Sequence, residues 1–136
     1  MHPLDPPLPS TFYNRDPAVV ARELLGARLC STIAGVHVCG VIVETEAYLG
    51  PHDPACHAVA GRTARTWHLF GPPGVAYVYR IYGLHWCVNA VTREEGFGSA
   101  LRILRGAPVP DVAVHITPRI GISKAVDWPL RFVATI

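Results

Sequence analysis

Apolar positions along this chain fall mostly in short runs with a two-residue rhythm, the spacing of half-buried strands. The exception comes early. Asp16-Pro17 opens a segment in which Val20 and Leu24 share one face and Gly26 stands where a helix would end. Asp16 can accept the free amides of a first turn, and Pro17 suits the first helical position. This predicts a helix that packs on the sheet. Residues 1–12 are proline-rich and read as an extended arm. Ala27–Ile33 and Val36–Ala47 read as two strands about Ala34-Gly35, a two-residue hairpin turn. That turn sets Cys30 opposite Cys39, a pair we read as core packing rather than a disulfide. Residues 49–61 form a polar loop, residues 62–70 a short helix, and Gly71-Pro72-Pro73-Gly74 a hard turn. Strands follow at Val75–Ile81, Leu84–Val91, Ser99–Leu104 and Val112–Ile116, with a tight reversal at Tyr82-Gly83. Mostly sequential strands with one early helix predict an antiparallel α+β fold, as a single domain over residues 1–136.

Composition narrows the class. Half of the 136 residues are hydrophobic and 16% are charged, a core-forming balance rather than a disordered one. A net charge of +2 is too small to argue nucleic-acid binding by itself. Lys124 is the sole lysine beside eleven arginines. Arginine forks suit phosphates and carboxylates, although codon bias gives the same count. No apolar run approaches the ~20 residues that span a membrane, and the first residues lack a secretory pattern. The expected location is the cytoplasm, or the nucleoid if the source is bacterial. Cys30, Cys39, Cys56 and Cys87 show no CxxC spacing, so neither a zinc framework nor a set of disulfides is expected.

Four constellations could carry chemistry. In Val41–Gly50 an apolar run ends in Glu44, Glu46 and Tyr48, which alternate onto one strand face. This is either a solvated strand end or a carboxylate set to move a proton, since close like charges push one pKa up. His52-Asp53-Pro54-Ala55-Cys56-His57 offers metal-ligand residue types, but no second cluster completes a site, and a histidine lining a pocket is the simpler reading. Tyr77 and Tyr79 share a strand face, and Tyr82 sits at the glycine turn. Its ring is either half-buried or an exposed wedge for base stacks. Arg102 and Arg105 are placed to orient a carboxylate, a phosphate or a water, or else to sit in solvent.

Together these pieces resemble the single-domain methylpurine (alkyladenine, 3-methyladenine) DNA glycosylases. The matching residues are Val43–Pro51, His57, Gly74–Gly83, Cys87-Val88-Asn89, Ile103-Leu104-Arg105, Thr117–Ile122 and Pro129–Phe132. The resemblance implies a curved, mainly antiparallel sheet flanked by helices, like the C-terminal domain of formyltransferases. It implies a monofunctional base-excision repair hydrolase, acting as a monomer on double-stranded DNA. Such enzymes flip alkylated or deaminated purines (3-methyladenine, hypoxanthine, ethenoadenine) out of the duplex. Carried over, Glu46 deprotonates the attacking water and Arg105 helps to hold it. Tyr82 fills the gap left in the duplex. Tyr48, His57 and Tyr79 enclose the flipped base, and Asn89 at the pocket floor disfavours guanine. No metal, cofactor or membrane partner is expected. Glu44, Arg80 and Arg102 are left as structural or DNA-backbone contacts.

The pattern departs from the family in one place. Family members place several dozen residues, with a Gly-Pro-Gly-Lys-Leu-like loop and a helix, between the arginine strand and the Thr-Pro-Arg-Ile-Gly-Ile motif. Here only residues 106–116 separate Arg105 from Thr117, and the tail after Ile122 is also short. The segment missing between 105 and 117 normally supplies DNA-backbone contacts. A protein that binds lesions without turning them over is therefore the alternative expectation, and a metal hydrolase a remote third.

Overall fold

The structure is a computed structural model describing residues 6–107 and 113–135. It is an α+β domain with two helices, α1 (Ser10–Tyr13) and α2 (Pro17–Glu23). The seven strands are β1 (Arg28–Ile33), β2 (Val36–Tyr48), β3 (Ala76–Ile81), β4 (His85–Thr92), β5 (Ser99–Ala107), β6 (Ala113–Thr117) and β7 (Arg131–Thr135). They form one sheet in the order β3-β4-β5-β2-β7-β6, with β1 also on β2 and every pairing antiparallel. No helix among the described residues is long and apolar enough to cross a membrane.

The helix signals act as read. The Asp16 carboxylate accepts the Ala18 amide at 2.8 Å, Pro17 takes the first helical position, and Gly26 turns the chain away at φ +85°. Val20, Ala21 and Leu24 then pack on Ile42, Ala47 and Leu101 of the central strands. Thr45 locks the contact by donating its hydroxyl to the Ala21 carbonyl at 2.8 Å. The inner half of β2, Ile42–Tyr48, is buried on both faces. That forces Glu44, Thr45 and Glu46, the polar residues it carries, to find partners.

Four expectations are corrected. Within the arm predicted to be extended, Ser10–Tyr13 forms a helical turn, with the Asn14 amide on the Ser10 carbonyl; residues 1–5 lie outside the described residues. The helix expected over residues 62–70 is reduced to a 3₁₀ turn at Trp67–Phe70, because Thr63 and Thr66 bond each other's backbone and close the preceding loop. Cys30 and Cys39 do face each other, but as a disulfide on an exposed hairpin and not as core, since β1 is exposed along its whole length among the described residues. Only Cys56 and Cys87 are free thiols, and both are buried. The fourth correction is β7, expected only as tail. It inserts between β2 and β6 and pairs Phe132 with Thr45 and Arg131 with Glu46.

Candidate active site

The carboxylate-bearing end of β2 meets three other elements. Glu44, Glu46 and Tyr48 face one way, as alternation requires, despite register shifts on either side of Glu44. Their fates differ. Glu44 is neutralised by Arg131 of β7, whose Nε donates to its carboxylate at 2.9 Å. Glu46 is wholly buried. Its Oε2 accepts the Ile120 amide at 2.8 Å and its Oε1 accepts the Tyr48 hydroxyl at 3.1 Å. Both of these donors are neutral groups. Burial pushes the Tyr48 phenol far above its ordinary pKa, and the charge of Glu46 and the hydrogen bond to it push it further, so the hydroxyl stays a donor.

An aromatic cavity of about 130 Å³ opens beside Tyr48, near the ~150 Å³ at which an apolar void admits one aromatic ring. Tyr77 and Tyr79 of β3 line it with His57, Asn89 and Arg102. The ring centroids of His57 and Tyr79 are 4.6 Å apart, and those of Tyr77 and Tyr79 are 5.2 Å apart. His57 Nδ1 is 3.0 Å from the Tyr77 hydroxyl, which fixes the imidazole. Burial lowers its pKa, and the charges of Arg65 and Arg102 lower it further, so the ring is neutral near pH 7. Asn89 is buried, with its side-chain amide on the Tyr77 carbonyl at 3.0 Å.

Tyr82 lines the same cavity although its ring is 89% exposed. It begins the three-residue β3–β4 connection, Tyr82-Gly83-Leu84, in which Tyr82 and Gly83 take the left-handed φ values +53° and +64° and the Leu84 amide donates to the Ile81 carbonyl at 3.1 Å. A tyrosine in that conformation is unusual and its phenol is carried outward on a rigid tip. Leu84 and Trp86 are exposed beside it, with the Arg80 guanidinium 5.6 Å from the Trp86 ring centre.

The two arginines of β5 separate. Arg102 lies directly across from Glu46 on one side and from Asn89 on the other, and lines the cavity. Burial works against its charge, but Cys87, Tyr79, Tyr48 and Glu46 outweigh that and keep it protonated. Arg105 pairs by its backbone with Glu44, and its side chain lies outside the described residues.

Two contributors were not legible as such in the sequence. One is the Ile120 amide, which a sequence cannot mark because every residue but proline carries one. The other is Arg119, fully buried, with two nitrogens on the Asp53 carboxylate at 2.6 and 3.1 Å and a further bond to the Ala47 carbonyl at 3.0 Å. Burial raises the pKa of Asp53, but the Arg119 hydrogen bond, the Leu49 and Ala55 amides and the Arg119 charge together hold it below the usual range. Asp53, one of the metal-ligand types of the loop, is thus committed to Arg119, and this ion pair pins the Arg119-Ile120 segment over Glu46. The Thr-Pro-Arg-Ile-Gly-Ile motif was the available signal.

Most of the chain is similar to known proteins. Residues 11–113 match the family model described as methylpurine-DNA glycosylase. A Myxococcus xanthus relative is 42% identical over 164 residues, covering 89% of this chain and 84% of its own length. One from Legionella pneumophila (strain Corby) is 50% identical over 119 residues, covering 88% of this chain and 65% of its own length. One from Anaeromyxobacter dehalogenans is 54% identical over 110 residues, covering 81% and 52%. Each bears the name "Putative 3-methyladenine DNA glycosylase". The chain therefore spans less than two-thirds of the Legionella and Anaeromyxobacter proteins. A 164-residue alignment that takes in 89% of a 136-residue chain also contains several tens of Myxococcus residues with no counterpart here.

Proposed function

The chain belongs to the methylpurine-DNA glycosylase family, and on that footing we propose that it excises damaged purines from double-stranded DNA by hydrolysing the N-glycosidic bond. The observation that carries the reading is Glu46, buried and held by two neutral donors, one of which is the hydroxyl of Tyr48, a residue that lines the aromatic cavity. Loss of a purine builds positive charge on the sugar. A carboxylate there helps twice, by stabilising that charge and by taking a proton from the water whose oxygen bonds to the anomeric carbon. The departing base keeps the electron pair of the broken bond.

In this reading the lesion is flipped from the duplex into the space bounded by Tyr48, His57 and Tyr79, and Tyr82 takes its place in the stack. Alkylated purines are electron-poor or cationic, and faces of electron-rich rings favour them over ordinary bases. A neutral His57 adds a stacking surface without repelling a cationic base. Asn89 stands against the amino group of guanine. Substrates of the 3-methyladenine, hypoxanthine and ethenoadenine class fit this chemistry. A β5 arginine orients the water, Arg105 by its motif or Arg102 by its place on the cavity wall. The enzyme works as a monomer and needs no metal or cofactor for these steps.

The test is a duplex with one hypoxanthine, ethenoadenine or 3-methyladenine. Wild type should release the base, and Glu46→Gln should lose roughly 10²–10⁴-fold in single-turnover rate while still binding the duplex. Equal release by both proteins would refute the assignment. The several tens of residues that the Myxococcus relative has in excess favour a second reading, lesion binding without turnover. It predicts salt-sensitive binding with no abasic product from either protein.

A further inference from the structure

The outer part of the β1–β2 hairpin is exposed on both faces and takes no part in the cavity. Its register sorts the side chains. Cys30 pairs with Cys39 and Thr32 with His37, so all four stand on one face. His37 Nε2 lies 3.3 Å from the Cys39 sulfur, and the Thr32 hydroxyl lies 2.7 Å from His37 Nδ1. One donor atom from each of Cys30, His37 and Cys39 falls within 4.8 Å of the others, the one such trio among the described residues.

We propose that the reduced hairpin binds one zinc ion through Cys30 Sγ, Cys39 Sγ and His37 Nε2, and that the Cys30–Cys39 disulfide is the oxidised state of the same site. Two thiolates and an imidazole are the ligand types zinc takes in a three-ligand site with an open fourth position. The Thr32 hydroxyl on Nδ1 orients the ring and leaves Nε2 for the ion, the arrangement that supports metal-bound histidines. With zinc–sulfur bonds of ~2.3 Å the two sulfurs would stand roughly 3.8 Å apart around a tetrahedral ion. Cys30 is exposed and Cys39 half-buried among the described residues, which leaves both side chains room to reach that spacing by χ1 rotation. The exchange balances with a low-molecular-weight thiol as reductant. The thiol supplies two electrons, two protons complete the cysteine thiols, and the reductant leaves as its own disulfide. Zinc displaces those two protons as the thiolates coordinate, without changing its oxidation state. Oxidation by a small disulfide reverses the sequence and expels the ion.

The test uses the full chain reduced with a phosphine, into which zinc is titrated against a chromophoric chelator. One ion per chain is expected. Cys30→Ser and Cys39→Ser should each weaken binding by roughly 100-fold or more, beyond the ~10–100-fold typical of a lost supporting hydrogen bond, and Thr32→Val should fall within that smaller range. Cobalt should give a thiolate charge-transfer band that His37→Gln shifts and that the disulfide form lacks. Absence of stoichiometric zinc in the reduced chain would overturn the proposal. So would unchanged binding in Cys39→Ser, which would place the ion at Cys56, Cys87 or elsewhere. If the cysteine variants do not stay folded, His37→Gln and the wild-type cobalt spectrum decide, because both keep the two thiols.

Discussion

Single side chains around the site are distinguished by their partners. Glu44 is paired with Arg131, whereas Glu46 is held by the neutral Ile120 amide and Tyr48 hydroxyl. Arg102 faces Glu46 across the strand pair and is held protonated, so it is the arginine we expect to matter most for the water. Arg102→Met should lower single-turnover excision at least ~10-fold, the low end for a lost charged donor, and Arg105→Met should lower it less. The reverse order would hand the water to Arg105. His57 makes a prediction in pH. An unfolded chain protonates histidine near pH 6.5, while His57 in the fold does so only at lower pH. The unfolded state binds more protons in between, so stability is full above that range and is lost as pH falls through the depressed value. The slope of Tm against pH between 7 and 5 should therefore be shallower in His57→Gln than in wild type. Identical slopes would show that the fold does not lower the pKa of the ring.

At the scale of elements, the β3–β4 hairpin is the part that would enter DNA. Its tip is held by a tight three-residue turn whose Leu84 amide bonds the Ile81 carbonyl, and it presents the Tyr82 ring to solvent. Tyr82→Ala should weaken binding to an abasic duplex by the ~1–3 kcal/mol of one lost aromatic–base stack, with Tm almost unmoved. A large drop in Tm would mean that the ring is structural. Elements of this kind were legible in the sequence because their causes are local. Asp16-Pro17 and Gly26 bracket α2, Ala34-Gly35 and Tyr82-Gly83 close two hairpins, and the alternation of Glu44, Glu46 and Tyr48 puts them on one face. What escaped was non-local. Arg131–Thr135 has strand composition but nothing in it names β2 as a partner. Arg119 and Asp53 lie 66 residues apart and read separately as a motif arginine and a loop acid. Cys30 and Cys39 were placed opposite each other correctly. Their disulfide was missed because the burial of β1 was misjudged, and burial depends on what the rest of the chain covers.

For the whole molecule, the Arg119–Asp53 pair is the tie between the C-terminal segment and the site. Both side chains are fully enclosed, so removing one strands the other as a buried charge. Arg119→Met should cost about 3–5 kcal/mol in chemical denaturation, and excision should fall further than the folded fraction accounts for. An unchanged denaturation midpoint would show the pair to be dispensable. The tie also sets an order of events. The cage and the wedge are built from β3, β4 and nearby loops, but the grip on Glu46 comes from an amide 74 residues further along the chain. Contacts that span so much sequence form late, because their loop must close first. A refolding chain should therefore regain its tyrosine environment before it regains activity. In the proposed reaction, then, the carboxylate becomes useful when a contact 74 residues away closes on it.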